Sequence, residues 1–474
     1  MGAAANRVKG GMVATPWGES DSLRDRRLRP GPGTPREEVI ANQRERLFGA
    51  MVASVAERGY IATTVNDLVA ISGVSSRSFY DLFPDKRACF LATLEAMIEA
   101  AVAYATQSVG KTLTDPKPGG VELPRSPGDG QGSWEQRARY GFDAFAEMVV
   151  AQPAAARLAF LESYAAGPEA LTLIENAVAG FEWLAQQTLE ESPERAGMPA
   201  EMISAHVGAQ QEIIRTRLRR GQEKELPELM TQIWDLLLAY RPPPEPLRLT
   251  GRAPRFGAET IDAHDHAERA LRAFAVVVAE DGYVNTTVEA VLKRAQMSAT
   301  TFYAHFHGKD DAMLAAIDSA CSQILAAVLP AFRRAPDWPN GIRAGFGALC
   351  NFLASRPALA QLIAVEIYAA GSTAVERRSE TLGPLQELIA AGFDGQRSLP
   401  PLVTEAIAGA TFTLIYKRLR ESGPGSLPTL APMLTYITLS PFIGAEEACR
   451  VANGDGRGRP TSPAPTGRSQ DPVA

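Results

Sequence analysis

Two stretches decide the reading: TTVNDLVAISGVSSRSFYDLFPDK, Thr63–Lys86, and TTVEAVLKRAQMSATTFYAHFHGK, Thr286–Lys309. In each, a threonine (Thr64, Thr287) stands where its side chain can cap a helix start, and a serine (Ser75, Ser298) is placed to cap a second one. The caps predict a helix over Val65–Ile71 (Val288–Arg294), a turn at Gly73-Val74 (Gln296-Met297), and a short helix in SSRSFYDLF (SATTFYAHF). A further helix begins at Asp85-Lys86 (Gly308-Lys309), and the one before the motif ends at Gly59 (Gly282), a residue suited to the position just past a helix. Phe79 and Phe83, four apart, share an inward face, as do Phe302 and Phe306; Tyr80 shares the outward face with Ser76 and Arg77. Two helices joined by a tight turn, the second short and polar on one side, suit a DNA major groove about 12 Å wide.

That the motif occurs twice explains the length of 474 residues, too long for one ordinary core. Laid without gaps over Arg269–Asp318, the segment Arg46–Glu95 gives 17 identities in 50 positions. The likeness returns in FLESYAAG (Phe160–Gly167) against AVEIYAAG (Ala364–Gly371), and in IIRTRLRR (Ile213–Arg220) against LIYKRLRE (Leu414–Glu421). The order is the same in both halves, so a whole unit is duplicated. Ala-, Leu- and Glu-rich segments with helical periodicity dominate and no run alternates like a strand, so the fold class is all-α, with about nine helices per copy.

Both motif stretches resemble the DNA-binding heads of the TetR (tetracycline-repressor-like) regulator family, strongly over about 50 residues in each copy and weakly over the helical body. The resemblance implies a three-helix helix-turn-helix head and a ligand-binding, dimerising bundle in each unit. It implies that Thr64, Tyr80 and Lys86, with Thr287, Tyr303 and Lys309, hold the DNA backbone. Bases would be read by residues following the caps Ser75 and Ser298: Ser76, Arg77 and Ser78 in one copy, Ala299, Thr300 and Thr301 in the other. The expected partners are double-stranded operator DNA and a small-molecule effector of unspecified identity. Copy two departs from the pattern: it lacks the turn glycine, and residues 260–330 carry five basic against nine acidic side chains.

The expected domains are a disordered basic N-terminal arm (1–36), a first head with its connecting helix (37–106) and a first bundle (107–240). A Pro-rich linker (241–258) leads to a second head (259–330), a second bundle (331–450) and a disordered tail (451–474). Six Arg or Lys against three acids make the first 35 residues basic, although the net charge is −6, which argues against non-specific coating of nucleic acid. Four scattered cysteines fit a reducing cytoplasm and no Cys-based zinc site. The uncharged run Ser422–Ala445 is broken by four prolines, so it reads as a loop and a buried helix, and no membrane partner is expected. No nucleophile elbow, P-loop or zinc-protease motif is present, so no catalytic residue, metal or cofactor is assigned. His264-x-His266 and His305-x-His307 would point their rings apart on a helix.

Aromatic residues on the body helices give an apolar interior in which Phe160, Glu162 and Tyr164, with Glu366 and Tyr368, are the expected pocket residues. The last two helices of each copy, about 200–222 with 226–240 and about 401–421 with 427–440, would pair within the chain as a pseudo-dimer. A homodimer of chains is the alternative. The function expected is a repressor released by a small apolar or amphipathic ligand. The rival is a small-molecule-binding or scaffold protein with one or both heads degenerate.

Overall fold

The computed structural model describes residues 12–28, 33–109, 133–249, 265–393 and 402–455. It is built almost wholly of helices. In the first copy, α1 (Arg36–Ala62), α2 (Val65–Ser72) and α3 (Ser76–Leu82) form the head. The body follows as α4 (Lys86–Val109), α5 (Trp134–Ala151), α6 (Pro153–Arg157), α7 (Pro168–Leu189), α8 (Ala200–Arg220) and α9 (Leu226–Ala239). The second copy runs α10 (His266–Asp281), α11 (Val288–Ala295), α12 (Ala299–Tyr303) and α13 (Lys309–Arg333) through α14 (Trp338–Ala354) and α15 (Pro357–Ala364). It ends with α16 (Ser372–Thr381), α17 (Gly383–Ala390), α18 (Leu402–Ser422), α19 (Ala431–Ile443) and α20 (Ala445–Ala452).

The two bodies join where α8 packs on α18. The helices approach closely because small residues meet there: a Cβ on Gly208 would lie 2.1 Å from Thr413 Oγ1, and one on Gly409 would lie 2.8 Å from Glu212 Cβ. They run antiparallel. Arg217, near the end of α8, forks onto Glu405 near the start of α18, at 3.0 and 3.1 Å. Arg418 reaches back to Glu201 at 3.5 Å. Lys417 bonds Glu182 and Ser204, and the hydroxyl of Tyr240 donates to the Ile437 carbonyl at 2.9 Å. Below these polar contacts the first body's apolar core runs on into the whole second copy, whereas the first head shares a separate core with α4 and with Ala154, Leu158 and Ala170 of its body.

Three expectations about chain ends are corrected. The N-terminal arm is not wholly disordered: Ala14–Thr15 (β1) pairs antiparallel with Gly18–Glu19 (β2), and the segment lies against α1. Trp17 and Leu23 drive this, being buried against Phe48 and Gly49, with the Trp17 and Phe48 rings 5.2 Å apart. Arg24 and Arg26, read as loose basic charge, instead donate to the carbonyls of Ala70 and Trp17. The linker is docked over Arg241–Leu249, where Arg248 N–H and the Pro246 carbonyl bond the Asn453 amide. That contact also orders the start of the tail, since α20 extends to Ala452 and buries Val451 and Ala452. Residues 1–11, 29–32, the Gly/Pro-rich insertion at 110–132, 250–264, 394–401 and the end of the tail from 456 lie outside the described residues.

The uncharged run resolves as expected, into a 3-10 turn over Pro424–Leu430 and the buried α19. Among the described residues, two helices, Lys86–Ala105 and Lys309–Arg333, are each long and apolar enough to cross a membrane. Here they serve as α4 and α13, the helices that carry each head into its body, with Phe90, Leu94, Met313 and Ile317 buried.

The close approach of α8 and α18 gives a test. Replacing Gly208→Val forces the helices apart and should cost about 1–3 kcal/mol of stability. Gly180→Ala, inside α7 with nothing within 4 Å of the added Cβ, should instead gain roughly 0.5–1 kcal/mol. Melting midpoints followed by circular dichroism would show opposite shifts; equal shifts would remove Gly208 from a tight contact.

Candidate nucleic-acid interface and cavity

Each head is set by the same local chemistry. Gly59 and Gly282 have φ of 77° and 76°, a positive-φ conformation that kinks α1 near its end and stops α10. Thr63 and Thr286, buried, close the corner by donating to the glycine carbonyls, both at 2.9 Å. Thr64 and Thr287, exposed, cap α2 and α11. Around Thr64 the cap is reciprocal, because Asp67 accepts from the Thr64 backbone and hydroxyl; copy two has Ala290 there and only the forward bond. Those two bonds hold the Asp67 carboxyl below its ordinary pKa, the hydroxyl contributing most.

Ser75 and Ser298 cap the short helices by accepting from Ser78 and Thr301, each at 3.1 Å. Phe79 and Phe302 are fully buried, so the residues between cap and phenylalanine are turned outward. Ser75, Ser76 and Arg77 are exposed and Ser78 half-buried; Ser298, Ala299, Thr300 and Thr301 repeat that pattern position by position. Tyr80 and Tyr303 stand edge-on to the phenylalanine before them, at 5.3 and 5.5 Å, and remain 57% and 54% exposed. Ile61 and Val284, in the corner before α2 and α11, are also exposed, at 72% and 53%. Sequence reasoning passed over them, although an apolar residue two places after the glycine in both copies was a usable signal.

The lysines sit elsewhere than expected. Lys86 Nζ donates to the Tyr60 and Thr63 carbonyls at 2.8 Å and lies 4.3 Å over the Tyr60 ring. Lys309 repeats this with the Tyr283 carbonyl at 3.1 Å and its ring at 4.5 Å. Both ammoniums therefore tie off backbone carbonyls of the corner that follows the glycine. Partial burial lowers the Lys86 pKa from its ordinary value.

The pocket expectation needs correction as well. Glu162 is a joint between body and head: Tyr60 N–H donates to its Oε2 at 2.8 Å. Glu366 receives the Tyr283 N–H, also at 2.8 Å. Two residues on, Tyr164 and Tyr368 stack on each other 4.7 Å apart, one from each copy. Of the five expected residues only Phe160 lines the cavity that exists, about 740 Å³ within the first body. It is walled by α4, α5, α7 and α8, with Thr15 and Pro16 of the N-terminal hairpin at its edge. Its surface is mostly aliphatic and aromatic, with polar groups at His206, Gln210, Gln211 and Arg215. Burial pushes the His206 pKa down to about 4, so the ring is neutral at ordinary pH.

The second body differs at the corresponding place. There Pro384 breaks the helix matching α7 into α16 and α17; a separate cavity of about 80 Å³ lies elsewhere, between α10, α13 and α15. Arg378, fully buried, lies 3.9 Å over the Phe412 ring. Extending the Tyr164/Tyr368 match without gaps puts Arg378 opposite Ile174, which lines the first cavity.

Two substitutions test the heads. Gln296 has φ 50°, the one non-glycine left-handed residue among those described, where copy one uses Gly73 at φ 65°. Gln296→Gly should stabilise the chain by up to about 1 kcal/mol, the left-handed penalty less glycine's entropy; a loss in chemical denaturation would contradict the strain. Lys86→Ala should cost about 1.5–3 kcal/mol and leave the salt dependence of DNA binding unchanged. A slope shallower by about 0.9 would put the ammonium on phosphate instead.

Compared with known proteins, residues 50–93 and 270–316 each match the model of the bacterial regulatory proteins of the tetR family. No curated protein matches the chain. Among solved structures, similar chains include the fatty acid degradation regulator FadR from Bacillus halodurans, 19% identical over 36% of this chain and 96% of that one, with a TM-score of 0.33. Another is the transcriptional regulator FadR from Bacillus subtilis in complex with stearoyl-CoA, 17% identical over 36% and 97%, with a TM-score of 0.34. The assignment rests on the two heads, each matching the family over the residues that build its exposed face. The chain thus carries, in tandem, two heads that match the tetR family of bacterial regulatory proteins.

Proposed function

We propose that one chain sets its two heads on the two halves of a single operator, represses transcription there, and is released by an amphipathic molecule entering the first-body cavity. The observation that carries this reading is the repeated exposed face: a capping threonine, a capping serine, three following residues and an edge-on tyrosine, the same in both heads. The α8–α18 contact supports it by joining the two units as a pseudo-dimer inside one polypeptide. In this reading Thr64, Tyr80, Thr287 and Tyr303 touch backbone, Ser76, Arg77 and Ser78 read one half-site, and Ala299, Thr300 and Thr301 read the other. A change in head separation on ligand binding would take the pair out of register with successive major grooves, about 34 Å apart. The protein acts in the cytoplasm, where its DNA is.

One observation favours the rival in which the second head no longer binds DNA. Helix α12 carries no cation, and Arg294 just before it is held by Glu280. Selection of bound DNA from a random pool separates the readings: two differing half-sites support the proposal, and a single half-site means that only the first head reads.

Two outcomes are expected. Light scattering at micromolar concentration should give close to 50.8 kDa, the mass of one chain. About twice that mass would mean that the bodies pair between chains. The selected operator should be asymmetric, because Arg77 can donate two bonds to guanine while Ala299 and Thr300 favour the thymine methyl. Arg77→Ala should cost about 1–3 kcal/mol and relax one half-site alone. A perfect palindrome would contradict reading by both heads.

A further inference from the structure

We infer that the chain has one effector site for its two heads, that the effector is an amphipathic organic anion held by Arg215, and that Arg215 relays its arrival to both heads. This deepens the effector reading above and rests on it. Among the described residues lining the cavity, Arg215 alone carries a charge. An apolar chamber with a single cation at one end selects a ligand with an apolar body and one negative group. The guanidinium has capacity to spare. One nitrogen donates to Tyr164 Oη at 2.5 Å and to Gln211 at 3.2 Å, another lies 3.6 Å from Glu212, and Nε has no partner. Glu212 is shared with Arg219 at 3.1 Å, so the carboxylate stays paired when Arg215 turns to a ligand.

The same guanidinium sits on the stacked tyrosines, 5.4 Å from the Tyr164 ring and 5.5 Å from the Tyr368 ring. Each of these tyrosines is two residues beyond the glutamate that holds its own head, Glu162 on Tyr60 and Glu366 on Tyr283. An anion drawing Arg215 toward the cavity withdraws a cation and a hydrogen bond from that stack, and so loosens both glutamate joints from one side. The second body cannot do this independently, because Arg378 stands where Ile174 lines the first cavity. It lies 5.4 Å from the Tyr368 ring and is fully buried.

Fluorescence titration with anilinonaphthalene sulfonate, and with uncharged phenylnaphthylamine as its neutral counterpart, tests this on the full chain. Trp234 lines the cavity and reports binding. One equivalent of the sulfonate should bind per chain. Arg215→Gln should weaken the sulfonate about tenfold and the neutral probe less than about twofold, and Arg215→Lys should recover most of the loss. Hydrogen exchange with the sulfonate bound should rise at both Tyr60 and Tyr283. Equal loss of both probes in Arg215→Gln, or two equivalents per chain, overturns the anion site. A rise in exchange at Tyr60 alone overturns the relay. If neither probe binds the unmodified chain, the cavity reading itself falls, which is a separate failure.

Discussion

The structure depends on the close antiparallel approach of α8 and α18. Gly208 lets Thr413 lie where a side chain would otherwise stand, and Gly409 does the same for Glu212. Once those backbones meet, Arg217 can fork onto Glu405 and Lys417 can reach Glu182 and Ser204, so the charged pairs fix register instead of supplying the bulk of the adhesion. The stacked Tyr164 and Tyr368 lie beside the same approach, since Arg215 of α8 sits over both rings. The continuity of one apolar core from the first body through the whole second copy follows from it.

Much of this was legible from residue types alone. The caps at Thr64, Ser75, Thr287 and Ser298 fall where spacing put them, because capping is a local contract between a side chain and an N–H three residues away. The buried phenylalanine pairs and the exposed faces follow from helical periodicity. What stayed hidden was nonlocal. Glu162 meets Tyr60 across 102 residues of chain, and nothing in either neighbourhood names the other. The lysines kept the spacing of their motif, but their reach back to the leading helix appears only when that helix has a direction. The N-terminal segment was misread because its composition, rich in Gly, Pro and Arg, outweighed two residues that matter, Trp17 and Leu23.

Duplication has let the copies diverge. In the first body a straight α7, with Ile174 on its inner face, leaves a chamber; in the second, Pro384 breaks the matching helix and Arg378 is buried there. The heads diverge more quietly. Asp67 completes a reciprocal cap that Ala290 cannot, and Gly73 sits comfortably where Gln296 is strained. A buried Arg378 with Nε and one terminal nitrogen unbonded is a costly filler. Its position over Phe412 and Tyr368 recovers part of that cost through the ring faces.

Because α8 finds its partner on the same polypeptide, pairing is a first-order event that dilution does not undo. A regulator that assembles from separate subunits loses its paired form with the square of its concentration, so a cell holding few molecules holds mostly singles. If the chain acts as proposed, each molecule made would already be paired, and occupancy of DNA below saturation would scale linearly with its concentration. Nor can a defective subunit from another allele poison a functional one by exchange. On that reading a loss-of-function variant would be recessive, and the two heads would be free to drift apart without ever meeting a copy of themselves.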